Sequence, residues 1–250
     1  RGLGDVYKRQ ETNTFGANLG NLGEYGITER TYELAKAGAE IAANVAAEYS
    51  PKRWVLGSLG PGTKLPTLLH VDYAQLESSY FEAAKGLIEG GSDGLLVETT
   101  QDLLQAKAAV NGSRRAIASS KKDIVLIAQV TIETNGTMLL GSEIGAALNA
   151  LGALNIDLIG LNCATGPTEM SEHLRYLSKH TTIPISCMPN AGLPVLEDGG
   201  ARYPLQPKEF SNALVGFVNN YGVRLVGGCC GTTPEHLLEL VTSIRKLNDQ

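Results

Sequence analysis

Long apolar runs are missing from this 250-residue sequence. No stretch approaches the eighteen or so uninterrupted apolar residues that a membrane span requires. No signal-peptide core follows the charged start Arg1-Gly2-Leu3-Gly4-Asp5, so the chain is expected to be cytoplasmic. Cysteine is scarce, with four residues, too few for a disulfide scaffold; two of them adjoin, and in a reducing compartment that pattern suggests metal or redox chemistry. A basic excess is also absent, because 21 Lys and Arg face 26 Asp and Glu for a net charge of −5. Without a positive field, nucleic acid and anionic membrane are poor partners, and a small molecule fits better. No P-loop or dinucleotide fingerprint appears, and the glycine-rich stretch from Gly57 to Gly62 reads as a tight turn. His70, His173, His180 and His236 lack the i, i+4 pairing or strand-end setting of ligands, so they are read as surface or supporting groups.

What is present is an ordinary globular composition, 43% hydrophobic and 19% charged, arranged as alternating β-rich and amphipathic stretches. Six strands are expected at residues 54–59, 94–98, 124–131, 158–162, 183–188 and 223–227. Helices are expected at 28–48, 71–89, 102–119, 143–154, 168–180, 207–220 and 234–247. Pro207 and Pro234 suit first helical turns, and Thr233 can cap the last helix. The alternation predicts an α/β fold, a TIM-type (βα)8 barrel in one domain from residue 11 to 250. Residues 1–10 show no strand-like alternation and are left unassigned, as foreign or misread sequence, while Glu11-Thr12-Asn13-Thr14-Phe15 reads as the end of a strand. The barrel is therefore expected to be truncated at its N-terminus, with its first strand missing.

Parallel barrels collect function at the carboxyl ends of their strands. Those positions carry Asn13, Glu98, Asn162-Cys163, Asn190 and Gly228-Cys229-Cys230-Gly231. A catalytic zinc takes three protein ligands and leaves one position for substrate, a count that Cys163, Cys229 and Cys230 supply. Gly227, Gly228 and Gly231 are expected to bend the backbone through positive φ so that both vicinal sulfurs reach one ion. The alternative is a buried Cys163 and a strained vicinal disulfide. Cys187, inside an apolar strand, reads as a buried structural thiol.

Four ordered motifs, Glu11-Thr12-Asn13-Thr14-Phe15, Gly160-Leu161-Asn162-Cys163-Ala164-Thr165-Gly166-Pro167, Pro189-Asn190-Ala191-Gly192-Leu193-Pro194 and Gly227-Gly228-Cys229-Cys230-Gly231-Thr232-Thr233-Pro234, resemble the homocysteine-binding module of cobalamin-dependent methionine synthase. The resemblance runs from about Glu11 to the C-terminus. It implies a βα barrel whose Cys163, Cys229 and Cys230 hold a catalytic Zn2+ and activate homocysteine for methyl transfer to methionine. It further implies that Glu98 receives the substrate ammonium, and that Asn190 offers an oxygen to the zinc before substrate arrives. Asn13 and Asn162 are candidates to orient the amino-acid end, although Asn at a strand end often serves only its own turn. The family's opening Asp-Gly-rich motif has no counterpart here.

No Asp-x-His-x-x-Gly cobalamin signature occurs, so methylcobalamin is expected on a separate module, with cobalamin- and folate-binding modules of the full-length protein as partners. A stand-alone homocysteine S-methyltransferase using an S-methyl sulfonium donor is the rival enzyme. A non-catalytic zinc or redox-thiol module is the rival of another class.

Overall fold

A computed structural model of the chain describes residues 9–197 and 200–248. Seven strands form one parallel sheet: β1 (Arg9–Glu11), β2 (Trp54–Leu59), β3 (Gly94–Thr100), β4 (Val125–Val130), β5 (Leu158–Asn162), β6 (Ile185–Met188) and β9 (Leu225–Val226). They follow chain order across the sheet, with β1 at one end and β9 at the other. The expected barrel-type βα sheet is present, with seven strands among the described residues. A separate antiparallel hairpin, β7 (Val195–Glu197) with β8 (Gly200–Arg202), projects between β6 and the next helix.

Helices α2 (Thr31–Ala47), α3 (Tyr73–Glu89), α4 (Leu103–Ser120), α5 (Ile144–Gly152), α6 (Pro167–His180), α7 (Pro207–Tyr221) and α8 (Pro234–Asn248) connect the strands. Asp72 caps α3 and Asp102 caps α4, each side chain accepting first-turn N–H groups. Alternate strand residues face opposite sides of the sheet. Leu95, Val97, Leu126, Ala128, Ile159, Leu161 and Cys187 join the helix-side core with Leu76, Leu87, Phe210 and Leu214. Leu56, Leu96, Ile127, Met188 and Leu225 form a second cluster on the other face, inside the curl. A fully buried aliphatic side chain contributes about 1.5–3 kcal/mol, so both faces fix the strand register.

Three differences from the sequence reading have physical causes. Arg9 and Gln10 belong to β1, paired in register with Trp54 and Val55, and the strand ends at Glu11 instead of running to Phe15. Backbone pairing with β2 makes this strand, not an alternating pattern. After it, Thr12 takes one more rung to Leu56, and the Thr14 hydroxyl donates to the Ser58 carbonyl at 2.7 Å, turning the chain inward. Residues 1–8 of the unassigned segment lie outside the described residues. Next, the short helix α1 (Leu19–Gly23), capped by Asn18, and the β7–β8 hairpin were not expected. Finally, β9 is two residues, because it pairs with β6 only at Ser186 and Cys187 before its glycines turn away.

The loops beyond the strands' carboxyl ends form the mouth. Two buried donors hold the loop after β2: the Tyr80 hydroxyl to the Gly60 carbonyl at 2.9 Å, and Gln105 Nε2 to the Pro61 carbonyl at 2.7 Å. Among the described residues, no helix is long and apolar enough to cross a membrane.

Candidate metal centre and carboxylate pocket

Cys163 directly follows β5, in a turn where both Cys163 and Ala164 adopt left-handed backbone, φ 60° and 57°. That conformation costs a non-glycine residue roughly 1–2 kcal/mol. It is held by the Cys163 N–H donating to the Met188 carbonyl at 3.1 Å, and by the Thr165 N–H returning to the Cys163 carbonyl at 2.7 Å. Cys229 and Cys230 follow β9. The Cys229 N–H donates to the Pro189 carbonyl at 2.9 Å, and the Cys230 carbonyl accepts from the Ala191 N–H at 2.9 Å. The loop carrying Asn190 therefore clamps the vicinal pair.

The glycines around this pair act differently from the sequence expectation. Only Gly231 has positive φ, 77°. Gly228 is needed for space, since a Cβ there would overlap the Thr232 side chain, whereas Gly227 would meet Met188 at an ordinary 3.4 Å. The vicinal-cysteine turn bends through Gly231 alone among these three glycines, while left-handed backbone in the separate turn after β5 falls on Cys163 and Ala164.

The three sulfurs lie within 4.8 Å of one another, with Cys163 Sγ and Cys230 Sγ 3.7 Å apart. Tetrahedral zinc with bonds of about 2.3 Å separates its sulfurs by about 3.8 Å. The donor set and its spacing therefore fit a divalent ion with thiolate preference. Cys163 and Cys229 are half-buried, Cys230 is exposed, and all are free thiols. Hydrogen bonds from Cys163 and Cys229 pull the Cys230 thiol far below its usual range, while bonds to Cys163 and Cys230 push Cys229 far above it. Asn190 is buried, and its side-chain oxygen accepts the Cys230 N–H at 3.0 Å, which places that oxygen beside the trio. Cys187 stays apart, buried in β6 against the Met170 sulfur at 3.8 Å, its thiol pushed up by burial.

A carboxylate pocket adjoins the sulfurs. Glu98 is buried at 6% exposure, accepting the Ser58 hydroxyl at 2.5 Å on Oε1 and Asn162 Nδ2 at 3.3 Å on Oε2. No Lys or Arg forms an ion pair with it among the described residues. Burial raises its carboxyl; the Ser58 bond opposes the rise, and the Cys230 charge adds to it, so the two subsites feel one another. Asn162 also accepts the Thr99 N–H at 2.7 Å and donates to the Thr99 hydroxyl at 2.8 Å, so its amide braces Glu98 and the turn after it. Asn13 is exposed, and among the described residues it shares no hydrogen bond with Glu98, Asn162 or the cysteines.

Sequence reasoning passed over Glu11 as a site residue. It ends β1 half-buried, and its carboxyl is pushed up to about 8, first by burial and then by the charge of Glu98. The available signal was its place, a carboxylate at a strand end like Glu98.

The comparisons agree with this geometry. The chain is 59% identical over 242 residues to the methionine synthase of Mycobacterium leprae (strain TN) and 60% identical over 240 residues to that of Mycobacterium tuberculosis (strain ATCC 25618 / H37Rv). These alignments take in 96% and 95% of this chain but 20% of each relative, so the chain spans about a fifth of their length. The fold matches the metallated form of the homocysteine methyltransferase MmuM from Escherichia coli with a TM-score of 0.75 at 18% identity, over 96% of this chain and 80% of that one. The homocysteine S-methyltransferase family model matches residues 8–244, and this chain belongs to that family of methyltransferases.

Proposed function

We propose that the chain is the homocysteine-activating module of a cobalamin-dependent methionine synthase, the unit that binds homocysteine and delivers its sulfur for methylation. The observation that carries this reading is the convergence of three sulfurs from two distant loops within 4.8 Å of one another. Cys163, Cys229 and Cys230 would hold the ion, with the Asn190 side-chain oxygen as an additional ligand before substrate arrives. When bound, zinc supplies the charge that removes the homocysteine thiol proton, whose ordinary pKa near 8.5 keeps it largely protonated at neutral pH.

The chain's own residues orient the substrate. Glu98 and Glu11 face the ammonium group, and Ser58 and Asn162 fix the Glu98 carboxylate. With the amino-acid end anchored in this pocket, the thiol points to the exposed side of the sulfur trio. Around the mouth, Phe15, Leu69, Leu139, Leu193 and Leu196 are exposed, an apolar rim suited to a protein face bringing the methyl donor. Relatives five times as long leave room for such donor- and folate-binding modules. High identity to methionine synthases favours methylcobalamin over the sulfonium donor of the rival reading. Free thiols at metal spacing likewise favour a metal centre over a redox pair.

The test is Cys229→Ala in the intact protein, measured for zinc content and for methyl transfer to homocysteine from methylcobalamin and from S-methylmethionine. Loss of zinc together with transfer from methylcobalamin is expected. Retention of both in the variant contradicts the reading, and transfer from the sulfonium alone selects the rival.

A further inference from the structure

His236, read from the sequence as a surface or supporting group, is buried in the first turn of α8. Thr233 precedes that helix, and its N–H donates to His236 Nδ1 at 3.2 Å. Nδ1 is therefore the acceptor, and the ring is the neutral tautomer with its proton on Nε2. From there Nε2 donates to the Leu205 carbonyl at 2.8 Å. The Phe210 ring of α7 lies edge-on to the imidazole at 5.5 Å.

Leu205 sits between β8 and α7, against the loop that clamps the vicinal cysteines. Its N–H donates to the Ala191 carbonyl at 3.0 Å, and the Ala191 N–H donates to the Cys230 carbonyl at 2.9 Å. The Asn190 side chain takes the Cys230 N–H at 3.0 Å, so residues 190 and 191 hold Cys230 by both of its backbone groups. Gly192 permits the approach: it has φ 88°, and a Cβ there would stand 3.3 Å from Leu205 Cβ. Three hydrogen bonds thus run in series from His236 through Leu205 and Ala191 to Cys230.

We propose that His236 is a positioning residue of the sulfur half: through the Leu205 and Ala191 peptides, its Nε2–H fixes the Cys230 backbone opposite Cys163. This rests on the metal reading above. Cys230 is the exposed member of the trio, so burial does not hold it, and the backbone bonds on either side set where its sulfur stands. Outer partners of metal ligands typically change affinity or activity 10–100-fold. A role confined to capping α8 would need the Nδ1 acceptor alone.

Two substitutions separate the two ends of the ring. His236→Gln offers an amide N–H to Leu205 and an oxygen to the Thr233 N–H, whereas His236→Asn can accept from Thr233 but is too short to reach Leu205. In the intact protein, the Gln variant is expected to keep wild-type zinc affinity by chelator competition, and the Asn variant to lose about 10-fold. Hydrogen exchange in the metal-free protein gives a second readout: the Leu205 and Ala191 amides should lose protection in the Asn variant and keep it in the Gln variant. An Asn variant that matches wild type in both readouts, or a Gln variant that falls as far as Asn, overturns the proposal. Independently of any variant, imidazole nitrogen NMR shifts of the wild type should show His236 protonated on Nε2, and a proton on Nδ1 instead overturns it as well. A wild-type protein that binds no zinc overturns the metal reading, while the exchange comparison still judges the series of bonds.

Discussion

The two halves of the site are built in opposite ways. The carboxylate half is carried largely by strands: Glu98 lies within β3, Ser58 within β2, Asn162 ends β5 and Glu11 ends β1. Glu98, Ser58 and Asn162 are buried, and hydrogen bonds tie Ser58 and Asn162 to Glu98. The sulfur half is carried by loops: Cys163 lies in a left-handed turn, and Cys229 and Cys230 lie in a glycine turn clamped by a neighbouring loop. Recognition of a fixed ammonium gains from rigid, pre-paired groups. A centre that must admit a fourth ligand gains from partly exposed donors on adjustable backbone. On the proposed reading, specificity lies in the sheet and chemistry in the loops.

The largest expected effects come from breaking the sulfur half. Cys163→Ala, at the single ligand from β5's end, should lose bound zinc and lower methyl transfer more than about 100-fold, beyond the range of outer metal partners. Metal analysis beside a turnover assay checks it, and zinc retained at one per chain would sink the comparison.

Breaking the carboxylate half should leave the metal in place. Glu98→Gln removes a charge-assisted contact of about 1.5–3 kcal/mol, raising the homocysteine KM by roughly 10- to 150-fold. Zinc content should not change; if it falls in parallel, the halves are not separable.

Glu11 sharpens the same contrast through pH. Its carboxyl is raised to about 8 in the folded chain, above its ordinary value of 4.5, so the folded state holds that proton more tightly than the unfolded one. Its contribution to stability is complete below about pH 4.5 and fades as pH rises through about 8. Glu11→Gln should therefore raise Tm relative to wild type at pH 9 and change it little at pH 5, while weakening homocysteine binding. Thermal melts at the two pH values decide this, and an equal shift at both would contradict it.

Two glycines give the smallest effects and a control. Gly231→Ala forces a Cβ into the Tyr203 ring at φ 77°, and should cost stability and metal affinity together. Gly136→Ala, at φ 87° with open space around it, should cost only the backbone penalty of about 1–2 kcal/mol and leave zinc untouched. Denaturant melts with metal titration compare them.

Much of the fold was readable because burial writes a pattern. The strands from Trp54 to Met188 are mostly apolar and buried, and the helices beside them carry repeating buried faces such as Ala35, Ala39, Ala42 and Ala46. The β7–β8 hairpin wrote none, because all six of its residues are exposed. The short β1 depends on pairing with β2 instead of alternation. Within the site, the three cysteines were legible from residue type and strand-end position. Glu98 was singled out through the family resemblance, with its place after three apolar strand residues beside it. Glu11 was not, since its burial and the charge of Glu98 beside it arise across the sheet, which no spacing records. The glycines were misread in part: positive φ was expected at three, and the structure uses it at Gly231 alone among them.

The central claim is that Cys163, Cys229 and Cys230 hold one divalent ion while leaving a position for the substrate sulfur. X-ray absorption at the zinc edge of the purified chain, without and then with homocysteine, tests it most directly. The account predicts three sulfur neighbours at about 2.3 Å, rising to four when homocysteine is added. A metal-free chain, or a sulfur count that does not rise, would contradict it.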